Sequence, residues 1–136
     1  MSSGYSGTPL AKKLGIKSGH HVFLKNQPDH YWKLFELLPE NIKLVEAPKE
    51  ESVDFIHLFC KTQRELEQNA ESCKKLLKKD GMLWVSWPKG ASKIPTDLKR
   101  EPVRDHLLKI GLVDTKVAAI DEDWSGLKFM YRIKDR

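Results

Sequence analysis

The sequence predicts a single α/β domain, a three-layer sandwich around a mostly parallel sheet, and three observations carry that prediction. Short apolar runs rich in β-branched and aromatic residues alternate with segments of helical periodicity. One of these runs, Val53 to Phe59, is almost continuously apolar, as strands buried on both faces are. The last two runs are joined only by the polar stretch Asp121 to Gly126, which suits a hairpin, so the final strand is expected to run antiparallel.

Each element has its own signal. After an expected N-terminal arm over residues 1–8, a short helix to Leu14 is expected, with Thr8 as N-cap, Pro9 in its first turn and Gly15 as its stop. His20 to Lys25 reads as the first strand and ends in the turn Asn26-Gln27-Pro28. Tyr31, Leu34, Phe35 and Leu38 recur at helical spacing between a capping Asp29 and a terminating Pro39. Ile42 to Ala47 and Val53 to Phe59 are the next two strands. Thr62 and Glu65 form a capping box, and Leu66, Ala70, Cys73 and Leu77 line one face of the helix it opens, with Gly81 expected to close it. Met82 to Trp87 is the fourth strand. Pro102, Val103, Leu107 and Ile110 mark a helix closed by Gly111, and Val113 to Ile120 and Leu127 to Ile133 complete the sheet.

Composition sets bounds on function. The chain has 136 residues, 40% of them apolar and 32% charged, which suits one core and one domain over 1–136. No apolar run approaches the roughly 18 residues of a membrane span, and Met1 to Gly7 has neither the basic nor the apolar region of a secretion signal. A cytoplasmic location is expected, with Cys60 and Cys73 as free buried thiols. The net charge is +5, yet the densest basic cluster, Lys74, Lys75, Lys78 and Lys79, falls at a helix end, where cations complement the macrodipole. Neither nucleic acid nor membrane is therefore an expected partner. His20, His21, His30, His57 and His106 show no metal-ligand spacing, so no metal site is expected, and His57 reads as a strand residue paired with a backbone group.

Beyond these physical signals, Leu76-Leu77-Lys78-Lys79-Asp80-Gly81-Met82-Leu83-Trp84-Val85 resembles the segment of S-adenosylmethionine-dependent methyltransferases that joins a leucine-rich helix end to an apolar strand. The element order is similar to that Rossmann-like fold with a middle βα unit missing. The blocks Ser3 to Leu10, Leu83 to Lys89, Pro95 to Leu98 and Trp124 to Lys128 resemble an uncharacterised family of short bacterial proteins, a domain of unknown function. The methyltransferase resemblance implies S-adenosylmethionine or another adenosine-containing ligand, with Glu46 in the place of the acidic ribose partner. Where those enzymes carry a glycine-rich turn after the first strand, this chain has Lys25-Asn26-Gln27-Pro28-Asp29-His30, which contains no glycine.

Open α/β sheets bind ligands outside the carboxyl ends of their strands, and three loops are expected there: Asn26 to Pro28, Trp87 to Lys89, and Asp121 to Gly126. The candidate ligand- or partner-binding residues are accordingly Asn26, Glu46, Trp87, Lys89, Thr96, Asp97, Asp121, Trp124 and Ser125. Lys89 suits an anion, Trp87 and Trp124 suit a planar group, and Thr96 or Asp97 suits a hydroxyl. In a purely structural role, the tryptophans would plug the sheet edge and Asp97 would cap the helix that follows it. Ser86 lacks the flanking glycines of a nucleophile elbow, so no catalytic residue is assigned. Two functional classes follow: a non-catalytic, degenerate methyltransferase-like domain that binds a partner protein or small regulatory ligand, or a small transferase or nucleotide-binding enzyme with an unorthodox cofactor loop.

Overall fold

The computed structural model describes residues 8–136, so the expected arm, save Thr8, lies outside the described residues. Among the described residues, three helices, α1 (Leu10–Leu14), α2 (Gln63–Leu76) and α3 (Arg100–Lys109), are interspersed with six strands. The strands are β1 (His21–Lys25), β2 (Lys43–Leu44), β3 (Val53–Phe59), β4 (Leu77–Pro88), β5 (Leu112–Ala119) and β6 (Trp124–Tyr131). They form one sheet in the order β2-β1-β3-β4-β6-β5. The first four pair in parallel, and β6 is antiparallel to both its neighbours. A Rossmann-like, mostly parallel sheet with an antiparallel final strand is thus the observed fold.

Strand alternation divides the core into two layers. Ile56, Leu58, Leu83, Val85 and Trp87 face α2 and α3, meeting Leu66, Ala70 and Cys73 from one helix and Val103 and Leu107 from the other. Phe55, Phe59 and Trp84 face the opposite way, toward Ala11 and Leu14 of α1 and toward Tyr31. Trp84 is fully buried, and its indole Nε1 donates to the Leu14 carbonyl at 2.8 Å, satisfying the polar end of a large apolar side chain. Cys60 and Cys73 are buried free thiols, and burial pushes both up to about 12, which leaves them protonated and inert.

The capping box works in a displaced form. Thr62 accepts from the Glu65 N–H at 3.0 Å, while the Glu65 carboxylate reaches past Thr62 to accept from the Lys61 N–H at 2.7 Å. At the other end of α2 the expected stop at Gly81 is wrong: the helix ends at Leu76 and β4 starts at the next residue. Gly81 lies inside β4, where the ladder with β3 slips between Val53 and Phe55, and a Cβ there would sit 2.9 Å from the Val53 carbonyl. The glycine is required by a close backbone approach, not by a helix end.

Other boundaries also move. Pro9, not Thr8, occupies the N-cap position of α1, with its carbonyl accepting from Lys13 at 2.9 Å. The helix expected over 29–38 is only a 3-10 turn, Tyr31–Leu34, without a side-chain cap and with Tyr31 buried in the core. The second strand shortens from Ile42–Ala47 to Lys43–Leu44, since it pairs only with β1 at the sheet edge. α3 starts at Arg100, ahead of Pro102. The final hairpin is tighter than expected: Trp124, Ser125 and Gly126 already belong to β6, which ends at Tyr131. Asp121 closes this turn by accepting the Asp123 and Trp124 N–H groups at 2.8 and 2.9 Å.

Candidate functional site

The strand order reverses direction between β1 and β3, since β1 leads outward to β2 and the chain then returns to β3 on its other side. Such a switch point leaves a crevice at the carboxyl ends of the two strands. Here the crevice is filled from within. Tyr31, 1% exposed, descends from the loop after β1 and packs edge-on to Phe59 at the end of β3, with ring centroids 5.7 Å apart. Phe35 adds a second edge contact at 5.4 Å, and Trp124 closes on the far side of Phe59 at 5.0 Å.

A polar chain runs beneath this aromatic plug. The Tyr31 hydroxyl lies 3.0 Å from His57 Nδ1, and His57 Nε2 lies 2.8 Å from Ser86 Oγ. His57 and Ser86 have no solvent exposure, so the expected backbone partner for His57 is replaced by two side chains. The imidazole stacks on Phe59 at 4.2 Å. Burial holds His57 far below its ordinary range, at about 3, and pushes the Tyr31 phenol upward. Serine, histidine and an orienting hydroxyl in line have the connectivity of a nucleophile and its base. The chemistry is nevertheless closed to them: no substrate reaches Ser86, and an imidazole that resists protonation is a poor base at neutral pH. The chain instead ties the loop after β1 to the centre of the sheet through fully satisfied hydrogen bonds.

The other half of the carboxyl edge is open. The segment after β4 lines a half-open cavity of about 490 Å³, bounded by Trp87, Lys89, Thr96 and Asp97 and by the start of α3 at Lys99 and Arg100. Hydrogen bonds fix its wall. The Lys89 N–H donates to the Asp123 carbonyl at 2.8 Å, and the Ser92 hydroxyl to the Asp123 carboxylate at 2.9 Å. Thr96 donates to the Lys61 carbonyl at 2.6 Å and accepts from the Leu98 N–H at 3.0 Å. Asp97 accepts from the Gln63 N–H at 2.8 Å, so it caps the preceding helix α2 rather than α3.

The structure therefore gathers Trp87, Lys89, Thr96 and Asp97 around one cavity. Ser125 pairs with Trp87 in the β4–β6 ladder, but the two tryptophans belong to opposite core layers, Trp87 being 6% and Trp124 3% exposed. They do not form one aromatic clamp. Asp121 belongs to the plugged side, where its carboxylate meets His30 Nε2 at 3.1 Å and joins the β5–β6 hairpin to the loop after β1. Asn26, exposed and with φ of 59°, and Glu46, exposed beyond β2, lie farther along the edge. At about 4.8 Å per strand, β2 lies roughly 14 Å to the side of β4, and it ends level with Met82, well short of the carboxyl end of β4 at Pro88. The sequence does not single out His57 and Ser86 as a pair; the signal from which they could be found is that His57 interrupts the apolar run Phe55 to Phe59 and Ser86 the apolar run Met82 to Trp87.

No family model and no curated protein matches the chain. Solved structures do. An S-adenosylmethionine-dependent methyltransferase from Aquifex aeolicus superposes with a TM-score of 0.58 at 16% identity, over 90% of this chain and 88% of that one. The fold is methyltransferase-like. A TehB-like methyltransferase from Corynebacterium glutamicum gives 0.57 at 10% identity over 90% and 85% of the two chains. Aeropyrum pernix fibrillarin, solved with natively bound S-adenosyl-L-methionine, gives 0.52 at 11% over 89% and 73%. Two features of this chain distinguish its switch point. The turn after β1 offers no glycine for close backbone approach, and the space beyond it holds the Tyr31 ring.

Proposed function

We propose that this methyltransferase-like domain does not transfer methyl groups and acts instead by binding a small regulatory ligand in the cavity after β4. Tyr31 carries this reading: it fills the crevice in which an open α/β sheet takes its ligand, so the open part of the carboxyl edge lies on the β4 side. A cavity of about 490 Å³ is within the size range of small-molecule sites.

A thermal-shift screen tests the reading. S-adenosylmethionine and S-adenosylhomocysteine are expected to leave the melting temperature unchanged, whereas a cavity ligand at 100 times its dissociation constant adds about 2.7 kcal/mol. The exposed Glu46 at the carboxyl end of the strand beside β1 favours the second reading, an adenosine-binding enzyme. Stabilisation by S-adenosylhomocysteine that is lost in Glu46→Ala would establish that reading and overturn the first.

A further inference from the structure

We infer that the ligand of the cavity after β4 is a small organic anion with a flat apolar body, such as an aryl carboxylate or aryl phosphate. The inference rests on the proposed use of this cavity and assigns its chemical class. One wall is apolar, made by Trp87, Pro88, Ile94 and Leu98. Cations surround it: Lys89 follows β4 directly, and Lys99 and Arg100 stand where α3 begins.

The lining carries three cations, Lys89, Lys99 and Arg100, against one carboxylate, Asp97, with the Asp123 carboxylate nearby, so positive charge outnumbers negative there. Asp97, the carboxylate in the lining, accepts the Gln63 N–H, and the nearby Asp123 carboxylate accepts the Ser92 hydroxyl. Both hydroxyls in the lining are likewise committed, Thr96 to the Lys61 carbonyl and Ser92 to Asp123. Among the described residues, the Lys99 and Arg100 side chains make no ion pair. The charges of Lys99 and Arg100 at the rim are therefore available to a ligand, and the hydrogen-bonded polar groups hold the wall in place. Because hydrogen bonds already fix the wall, little ordering cost attends binding. The first turn of α3 adds a partial positive charge on the same side, a contribution subordinate to the two side chains.

The probes are phenyl phosphate, inorganic phosphate and neutral benzyl alcohol, each titrated into the ¹⁵N-labelled protein and followed by amide chemical shifts. Phenyl phosphate at millimolar concentration is expected to shift the amides of residues 87–100 saturably. Inorganic phosphate, lacking the apolar body, and benzyl alcohol, lacking the charge, should each bind roughly tenfold more weakly. The double variant Lys99→Gln with Arg100→Gln alters two exposed residues, so its spectrum should stay native while phenyl phosphate affinity falls roughly tenfold. Equal binding of benzyl alcohol and phenyl phosphate at these amides would overturn the anion assignment and leave the cavity as a ligand site. Absence of shifts there with all three probes, together with shifts elsewhere or none, would overturn both.

Discussion

The two halves of the carboxyl edge have opposite characters. Beyond β1 and β3 the protein has packed its own side chains: Tyr31, Phe35, Phe59 and Trp124 interlock over a satisfied Tyr31–His57–Ser86 chain. Beyond β4 it has left a cavity with hydrogen-bonded walls and with Lys99 and Arg100, which make no ion pair among the described residues, at its rim. In the first half, polar groups serve the fold, because buried donors and acceptors must find partners. In the second, main-chain and hydroxyl groups serve the fold, and long charged side chains remain for something else. Substituting the first half should therefore change stability, and substituting the second should change binding alone.

Tyr31→Ala would break the comparison most forcefully. It empties the crevice and orphans His57, so a loss of about 3–5 kcal/mol is expected in urea unfolding. If the folded fraction of that variant bound S-adenosylhomocysteine while wild type did not, the plug would be shown to conceal a surviving cofactor site.

Acid should act on the same half. The unfolded chain takes up a proton on His57 near its ordinary value of 6.5, whereas the folded protein resists until about 3. Between those limits the unfolded state binds more protons, so stability falls as pH is lowered, by about 1.4 kcal/mol per unit well inside the window. Unfolding free energies measured from pH 7 to 4 should show this slope, and His57→Gln should remove it. Asp54, at the amino edge of the sheet, adds a smaller loss at lower pH. Burial would raise its carboxyl, but the His21 N–H at 2.8 Å and the Lys78 ammonium at 2.9 Å hold it below its usual value. Its contribution is present above the unfolded value and is lost as pH falls through the folded one.

Tyr31→Phe keeps the ring and removes only the hydroxyl, so the cost should drop to about 1–3 kcal/mol, the penalty of one buried imidazole nitrogen without a partner. A cost as large as that of the alanine variant would assign the plug's worth to its hydrogen bond rather than to its aromatic contacts. Smallest of all, Lys99→Gln and Arg100→Gln should each leave stability within about 0.5 kcal/mol. A larger loss would make these cations part of the fold and remove the contrast.

Much of this layout was legible from residue order. Val53 to Phe59 was read with its observed limits because a doubly buried strand is apolar almost throughout. Thr62 and Glu65 located the start of α2 because their hydrogen bonds are local. Gly81 misled because a glycine after a helical pattern signals a C-terminus by local geometry, whereas here the β3 backbone demands it. Tyr31 and Phe35 misled because one short turn and a longer helix share the same first apolar positions. Of the site, the carboxyl-edge loops were legible from the alternation of elements. Their division into a filled half and an open half was not.

The sequence by itself determined the alternation of strands and helices, the antiparallel last strand and the chemistry available at each strand end, because these depend on periodicity, caps and turns acting over a few residues. Tertiary structure alone decided that Tyr31 would meet His57, 26 positions away, that His57 would meet Ser86, and that Asp97 would cap α2 instead of α3. Those pairings depend on the strand order and the register of β3 against β4, and contacts of that range follow from how the whole core packs.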